Sequence, residues 1–191
     1  MFGFEDVIKG CVKNNNKSKE MVYKSFYGYL MAVILRYTNN RNESEELVND
    51  SFIKVFKAIH LFIIPNDNLI AEKAFKAWIA KIASRTAIDF LRTRKTFLSI
   101  DDVAEEAEPI STINVISALN VKDILKLLDD LPEIQRLVFN LFEIEGFSHQ
   151  EIAKIFKIPE SSSRVYLTRA KQKLRTLYSN SLINTYETNR T

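Results

Sequence analysis

The chain reads as all-helical, and three observations carry that reading. Apolar residues recur at three- and four-residue steps through most of its length, the period of a helix with one buried face. Runs that alternate apolar and polar residues, as a half-buried strand would, are scarce. Only four glycines interrupt the 191 residues. Charge falls in blocks, basic then acidic then basic again, which predicts two small helical domains joined by a flexible acidic linker. The expected bounds are residues 1–95, 96–120 and 121–178, with a tail at 179–191. A hydrophobic share of 46% supplies enough apolar surface for real cores.

In the first domain, Phe4, Val7, Ile8 and Cys11 make one turn-spaced apolar face, followed by a polar break at residues 14–17. A longer helix is expected over residues 21–37, with Phe26, Leu30, Val33, Ile34 and Tyr37 inward. After a turn at 39–42, Asn42 or Ser44 can cap the next helix. Its first turns hold Glu43, Glu45 and Glu46, where the helix dipole favours carboxylates. Leu47, Val48, Ser51, Phe52, Val55 and Phe56 form its buried side, while Glu46, Asn49, Asp50, Ile53 and Lys54 fall on or near the other. Taken alone, that acidic cluster is an ordinary solvated first turn.

The pattern is lost over residues 60–72, where Pro65 and the turn-like Asn66, Asp67 and Asn68 interrupt an apolar stretch. A loop of about a dozen residues is expected there, longer than most connections and therefore suspected of function. His60 and His149, the two histidines, lack cysteine or carboxylate partners at metal-ligand spacing and read as structural or surface residues. Residues 75–95 form a strong amphipathic helix, with Phe75, Trp78, Ile79, Ile82, Ala83, Thr86 and Phe90 stepping along one side. Across residues 73–95, seven basic residues stand against Asp89 alone, a local balance of +6. Basic groups beside aromatic rings suit nucleic acid, because the cations bind phosphate and rings stack on unpaired bases. The rings equally suit a core, and Trp78 is assigned there.

The sign then inverts. Residues 96–121 contain no lysine or arginine, and Asp101, Asp102, Glu105, Glu106 and Glu108 give a balance of −5. That composition predicts the flexible linker. Beyond it a helix is expected over 121–128, interrupted by Asp129, Asp130, Leu131 and Pro132. Ile134, Leu137, Val138, Leu141 and Phe142 then form an apolar face before Gly146.

Residues 148–175 carry the sharpest motif. Ser148 and Glu151 make a capping box that opens a short helix with Ile152, Ala153, Ile155 and Phe156 on its apolar face. Lys157, Ile158 and Pro159 break it. A second helix follows with Ser163, Leu167, Ala170 and Leu174 on a buried stripe. The opposite side carries Ser162, Val165, Tyr166, Arg169 and Lys173, with Arg164 on the flank. An isolated basic helix of this kind is more often a solvated surface helix. The capped first helix, the fixed turn and the preceding helix instead make it a helix-turn-helix shaped to enter a major groove. The tail beyond residue 178 lacks periodicity and is expected to fray.

Several classes fall away. One cysteine, Cys11, excludes an internal disulfide and fits a reducing compartment. Early acidic residues, Glu5 and Asp6, argue against a signal peptide, and no run of about 18 apolar residues exists to span a bilayer. A cytoplasmic protein is expected. There is no Gly-rich phosphate loop, no nucleophile with a base and no metal cluster, so neither an enzyme nor a cofactor or small-molecule substrate is expected.

Taken together, three segments in order resemble the small extracytoplasmic-function sigma factors of bacterial RNA polymerase, over residues 21–178. NESEELVNDSFIKVFKAI resembles the core-polymerase-binding helix of that family. FKAWIAKIASRTAIDFLRTRK resembles the part that opens and reads the minus-ten element, and LPEIQRLVFNLFEIEGFSHQEIAKIFKIPESSSRVYLTRAKQKLR the minus-thirty-five reader. The resemblance implies a helical region 2 bundle, a linker and a region 4 helix-turn-helix. It implies that Glu46, Asn49 and Asp50 face core RNA polymerase, where acidic and amide groups pair with arginines. Residues 61–71 would capture a flipped base of the unpaired non-template strand, with Arg85, Arg92, Arg94 and Lys95 lining the strand path. Arg164, Val165 and Arg169 would face duplex bases, with Tyr166 and Lys173 beside the backbone. An anti-sigma protein, often membrane-bound, is a further implied partner.

Three positions depart from the family pattern. Asn49 stands where glutamine is usual, Ser163 where valine is frequent, and Lys157 where glycine is common. A left-handed lysine there would cost about 1 kcal/mol. A stand-alone helix-turn-helix regulator would account for residues 131–178 but leaves the acidic and Trp78 helices unexplained. A nucleic-acid enzyme would need catalytic groups that the sequence lacks.

Overall fold

The computed structural model describes residues 3–38, 40–93 and 127–188, leaving aside the side chains at 68, 69 and 181–188. Among these residues every regular element is helical, as expected, and no helix is long and apolar enough to cross a membrane. The chain divides into two units, residues 1–97 and 98–191. The acidic linker at 96–120, Arg94 and Lys95 lie outside the described residues.

In the first unit, α1 (Phe4–Val12) and α2 (Asn16–Ile34) meet at a tight corner. Asn15 caps α2 by accepting from the Ser18 N–H at 3.0 Å, so α2 starts before the expected residue 21. Gly10 permits the corner: a Cβ on it would collide with Ser18 Oγ and lie 2.9 Å from Ser18 Cβ. Helix α3 (Arg41–Ala58) is capped by Asn40 rather than by Asn42 or Ser44. The Asn40 backbone is extended, the conformation an N-cap requires, and its Oδ1 accepts from the N–H groups of Asn42 and Glu43 at 3.0 and 3.3 Å. Ser44 is instead buried, and its hydroxyl donates to the Asn40 carbonyl at 2.8 Å.

The expected loop at 60–72 is shorter in the structure. A 3-10 turn (Ile59–Leu61) follows α3, only residues 62–67 are irregular, and α4 runs from Asn68 to Thr93. Asp67 starts that helix early, accepting the Ile70 N–H on Oδ1 at 3.2 Å and the Ala71 N–H on its carbonyl at 2.7 Å. Helix α2 packs on α1, α3 and α4. Fully buried Phe75 sits at the centre, with the rings of Phe4, Phe26, Phe62 and Trp78 at 5.6, 5.2, 5.1 and 5.8 Å. The contacts with Phe4, Phe26 and Phe62 are edge-on, a geometry that adds to the gain from burying the area itself.

In the second unit, only residues 127–128 of the expected helix at 121–128 are described, and they are helical. Helix α5 (Glu133–Phe139) passes into a π-helical turn (Asn140–Ile144). Gly146, left-handed at φ +69°, ends it, and the Phe147 N–H returns to the Leu141 carbonyl at 2.8 Å. The Phe147 ring is buried, which fixes the chain's entry into α6 (His149–Phe156). Helix α7 (Glu160–Thr188) packs on both α5 and α6. It runs ten residues past the expected fray point at 178. No glycine or proline follows Pro159, so no residue type there disrupts the backbone ladder.

Candidate polymerase and nucleic-acid interfaces

Glu46, Asn49 and Asp50 are exposed on α3, opposite Leu47, Val48, Ser51, Phe52 and Val55, which are buried. The separation of faces follows from spacing, since residues three and four apart share a side of a helix. Glu46 therefore neighbours both Asn49 and Asp50. Asn49 is also held from α2, where the Tyr23 hydroxyl donates to its Oδ1 at 2.9 Å. Ile53, 53% exposed, extends the face by one turn. The face offers carboxylates and an amide beside an apolar edge.

The segment after α3 is anchored by Phe62, whose ring lies on Phe75 and Trp78. On either side of this anchor, Leu61 and Ile63 project outward, with Ile63 88% exposed. Trp78 is half-buried, so it is neither wholly core nor wholly surface. Its ring packs on Phe62 and Phe75, and its helical position lies within about 20° of Arg85. Arg85 and Arg92 are both exposed and share one stripe of α4, and half-buried Lys81 lies on the same stripe. The spacing of Lys81, four residues before Arg85 and eleven before Arg92, places it with them. Arg92 Nη1 lies 3.9 Å from Asp89, a loose surface pair. Lys76 is held by Glu72 at 2.8 Å, away from this stripe.

In the helix-turn-helix, the Ser148 and Glu151 box is present in both directions: the Glu151 N–H donates to Ser148 Oγ at 3.2 Å, and the Ser148 N–H to Glu151 Oε2 at 2.9 Å. Lys157 is left-handed at φ 56°, the conformation in which lysine is strained, and the Ile158 N–H closes the turn onto the Ala153 carbonyl at 3.1 Å. On α7, Ser163, Leu167 and Ala170 are buried and Leu174 is half-buried, as the spacing predicts. Arg164 and Lys173 are exposed, and Val165 and Arg169 are half-exposed. Arg164 is paired within the helix to Glu160 at 2.6 Å.

Tyr166 requires correction. It is 7% exposed and so does not stand on the outward face where the sequence reading put it. Its position lies only about 60° around the helix from Ser163, inside the broad apolar stripe that a packed helix buries. The buried Tyr166 ring is a packing residue of this unit.

The buried serine at 163 has a partner that explains its polarity. Its Oγ lies 2.9 Å from His149 Nδ1, and the His149 ring stacks on Phe142 at 4.3 Å. Burial, and then the Arg164 charge, hold the His149 pKa below its ordinary value. This contact ties the first residue of α6 to the first turn of α7. Burial pushes the Cys11 thiol up to about 11, which leaves it protonated and unreactive at neutral pH. Among the described residues, no group of His, Cys, Asp or Glu could hold a metal ion.

Residues 22–97 match the model of sigma-70 region 2, and residues 122–174 match that of sigma-70 region 4. RNA polymerase sigma factor SigZ of Bacillus subtilis strain 168 is 31% identical over 110 residues, covering 58% of this chain and 62% of SigZ. The RNA polymerase sigma-H factor of Pseudomonas aeruginosa is 22% identical over 180 residues, covering 88% of this chain and 90% of that protein. ECF RNA polymerase sigma factor SigM of Bacillus subtilis is 26% identical over 105 residues. The matches to SigZ and SigM span a little less than two thirds of those proteins, at 62% and 64%. A solved sigma factor, RpoE of Bartonella quintana in complex with the anti-sigma factor NepR, aligns over 84% of this chain and 96% of its own, at 22% identity and a TM-score of 0.49. With region 2 followed by region 4 over more than half of its residues, the chain belongs to the sigma-70 family, and its relatives include extracytoplasmic-function sigma factors such as SigM.

Proposed function

We propose that this chain is a promoter-specificity subunit: it binds core RNA polymerase through α3 and directs initiation at promoters contacted by both of its units. The observation that carries the reading is the placing of opposite chemistries on separate exposed faces within matched regions 2 and 4. Glu46, Asn49 and Asp50 offer carboxylates and an amide on α3, suited to a basic protein surface. Arg85 and Arg92, with Lys81, offer a cationic stripe on α4 suited to phosphates. Leu61 and Ile63, exposed beside half-buried Trp78, supply apolar surface against which an unpaired base can stack. Arg164, Val165, Arg169 and Lys173 form the duplex-reading face of α7. In this scheme the two units read the minus-ten and minus-thirty-five elements, and trapping of unpaired bases assists melting.

Phosphodiester chemistry belongs to the core enzyme, and this chain is a regulatory factor acting in the cytoplasm without catalysis of its own. The polymerase and DNA faces are also the surfaces that an anti-sigma protein would cover to hold the chain inactive.

The test is reconstitution with sigma-free bacterial core polymerase on fragmented genomic DNA. Co-migration with core and transcription from discrete start sites sharing two spaced elements is the expected result. Duplex binding without any core association would favour the stand-alone regulator instead.

A further inference from the structure

The polymerase-facing assignment leaves Tyr23 without a role, yet its geometry is specific. The residue lies on α2, 26 positions before Asn49. Its ring is wedged 4.7 Å from buried Phe52 and 5.4 Å from Tyr27. A phenol has only two side-chain torsions, so a packed ring delivers its hydroxyl to a fixed point. That point is 2.9 Å from Asn49 Oδ1.

An asparagine side chain carries one acceptor oxygen and one NH2 donor group on a single plane. Once Oδ1 accepts from Tyr23, the amide plane is set and the NH2 group is turned to the other side. It remains a donor on the exposed face of α3 that also carries Glu46 and Asp50. An unanchored surface asparagine would rotate among several rotamers and would lose that freedom on binding, at about 0.5–1.5 kcal/mol.

We infer that Tyr23 is a positioning residue for the polymerase-binding face: it holds Asn49 with its amide nitrogen outward, so that core polymerase meets α3 with a hydrogen-bond acceptor set among its cations. The inference rests on the proposed function.

The experiment measures affinity of the full chain for sigma-free core polymerase by fluorescence anisotropy. It compares the unaltered protein with Tyr23→Phe, Asn49→Ala, the double variant and Asp50→Arg. Phenylalanine keeps the ring packing and removes only the donor, so the melting temperature should hold. Losing the benefit of one hydrogen bond predicts binding about three- to tenfold weaker for Tyr23→Phe. The double variant should bind no worse than Asn49→Ala alone, because the hydroxyl acts only through that amide. Unchanged affinity for Tyr23→Phe, or losses that multiply in the double variant, would overturn the inference while a loss with Asp50→Arg kept the binding face intact. Unchanged binding of Asp50→Arg would remove the face itself, and the role of Tyr23 with it.

Discussion

The two units solve the problem of carrying a binding surface in different ways. In the first, core and surface use different residues on helices that are long enough to separate them. On α3, Leu47, Val48, Phe52 and Val55 are buried while Glu46, Asn49 and Asp50 face out. On α4, Phe75, Ile79 and Ala83 are buried opposite Arg85 and Arg92. In the second, α5 and α6 are only seven and eight residues long, too short to be stable without tertiary packing. Helix α7 must therefore hold the unit together with the same two turns that carry its proposed DNA-reading face. Ser163, Tyr166, Leu167 and Ala170 point inward between Arg164, Val165 and Arg169. The difference teaches that exposed and buried residues lie on well-separated faces in the first unit and crowd the same two turns in the second, so that on the proposed function binding and stability are more nearly separable in the first than in the second.

The strongest way to break that comparison is to remove the centre of the first unit. Phe75→Ala deletes the ring that four other aromatics surround and should cost about 3–5 kcal/mol. Trp78 is the chain's one tryptophan, so its fluorescence reports this unit. The expected outcome is early loss of the Trp78 signal in urea with duplex binding by the second unit retained; simultaneous loss of both would show that the units are not independent.

A milder change should reveal the entanglement. Ser163→Val removes the hydroxyl that meets His149 Nδ1, and should destabilise the second unit by about 1 kcal/mol. Duplex affinity should fall as well, because the bond sets α6 against α7. Far-UV circular dichroism and duplex titration together check this: a loss of stability with unaltered DNA binding would separate what the structure joins. In the opposite direction, Lys157→Gly relieves a left-handed lysine and should stabilise the second unit by about 0.5–1 kcal/mol. A melting temperature that falls would count against that strain.

The smallest effect is one of pH. With its folded pKa depressed by burial, His149 binds protons less readily in the folded state than in the unfolded one. Its contribution is therefore complete above the unfolded value of about 6.5, and is lost as pH falls from there toward the folded pKa. The melting temperature of the second unit should drop between pH 7.5 and 5.5 (roughly one unit either side of that value), and His149→Gln should flatten the slope. A slope unchanged by the substitution would assign it to other groups.

Much of this was legible in the sequence, for reasons tied to spacing. The two faces of α3, the Ser148 and Glu151 capping box and the buried row from Ser163 to Ala170 all follow from local periodicity, which residues express without help from the rest of the chain. Where local signals were degenerate, the reading slipped. Three asparagines at 39, 40 and 42 offered competing caps, and only the extended backbone at Asn40 selects one. Asp67 looked like part of a turn and is instead the start of α4. Tyr166 was misplaced because periodicity gives the centre of a buried stripe but not its width, which the neighbouring helices decide. The contacts of Tyr23 with Asn49 and of His149 with Ser163 join residues 26 and 14 positions apart, and no single helix pattern predicts them.

The central claim is that α3 meets polymerase while α7 meets DNA. Its most direct test is a titration of core polymerase with the unaltered chain, Asp50→Arg and Arg169→Ala, each first shown to melt normally. The account predicts that charge reversal at Asp50 weakens core binding at least tenfold, about 1.4 kcal/mol, while Arg169→Ala binds core as the unaltered chain does. Equal losses in the two variants, or full affinity with arginine at position 50, would contradict it.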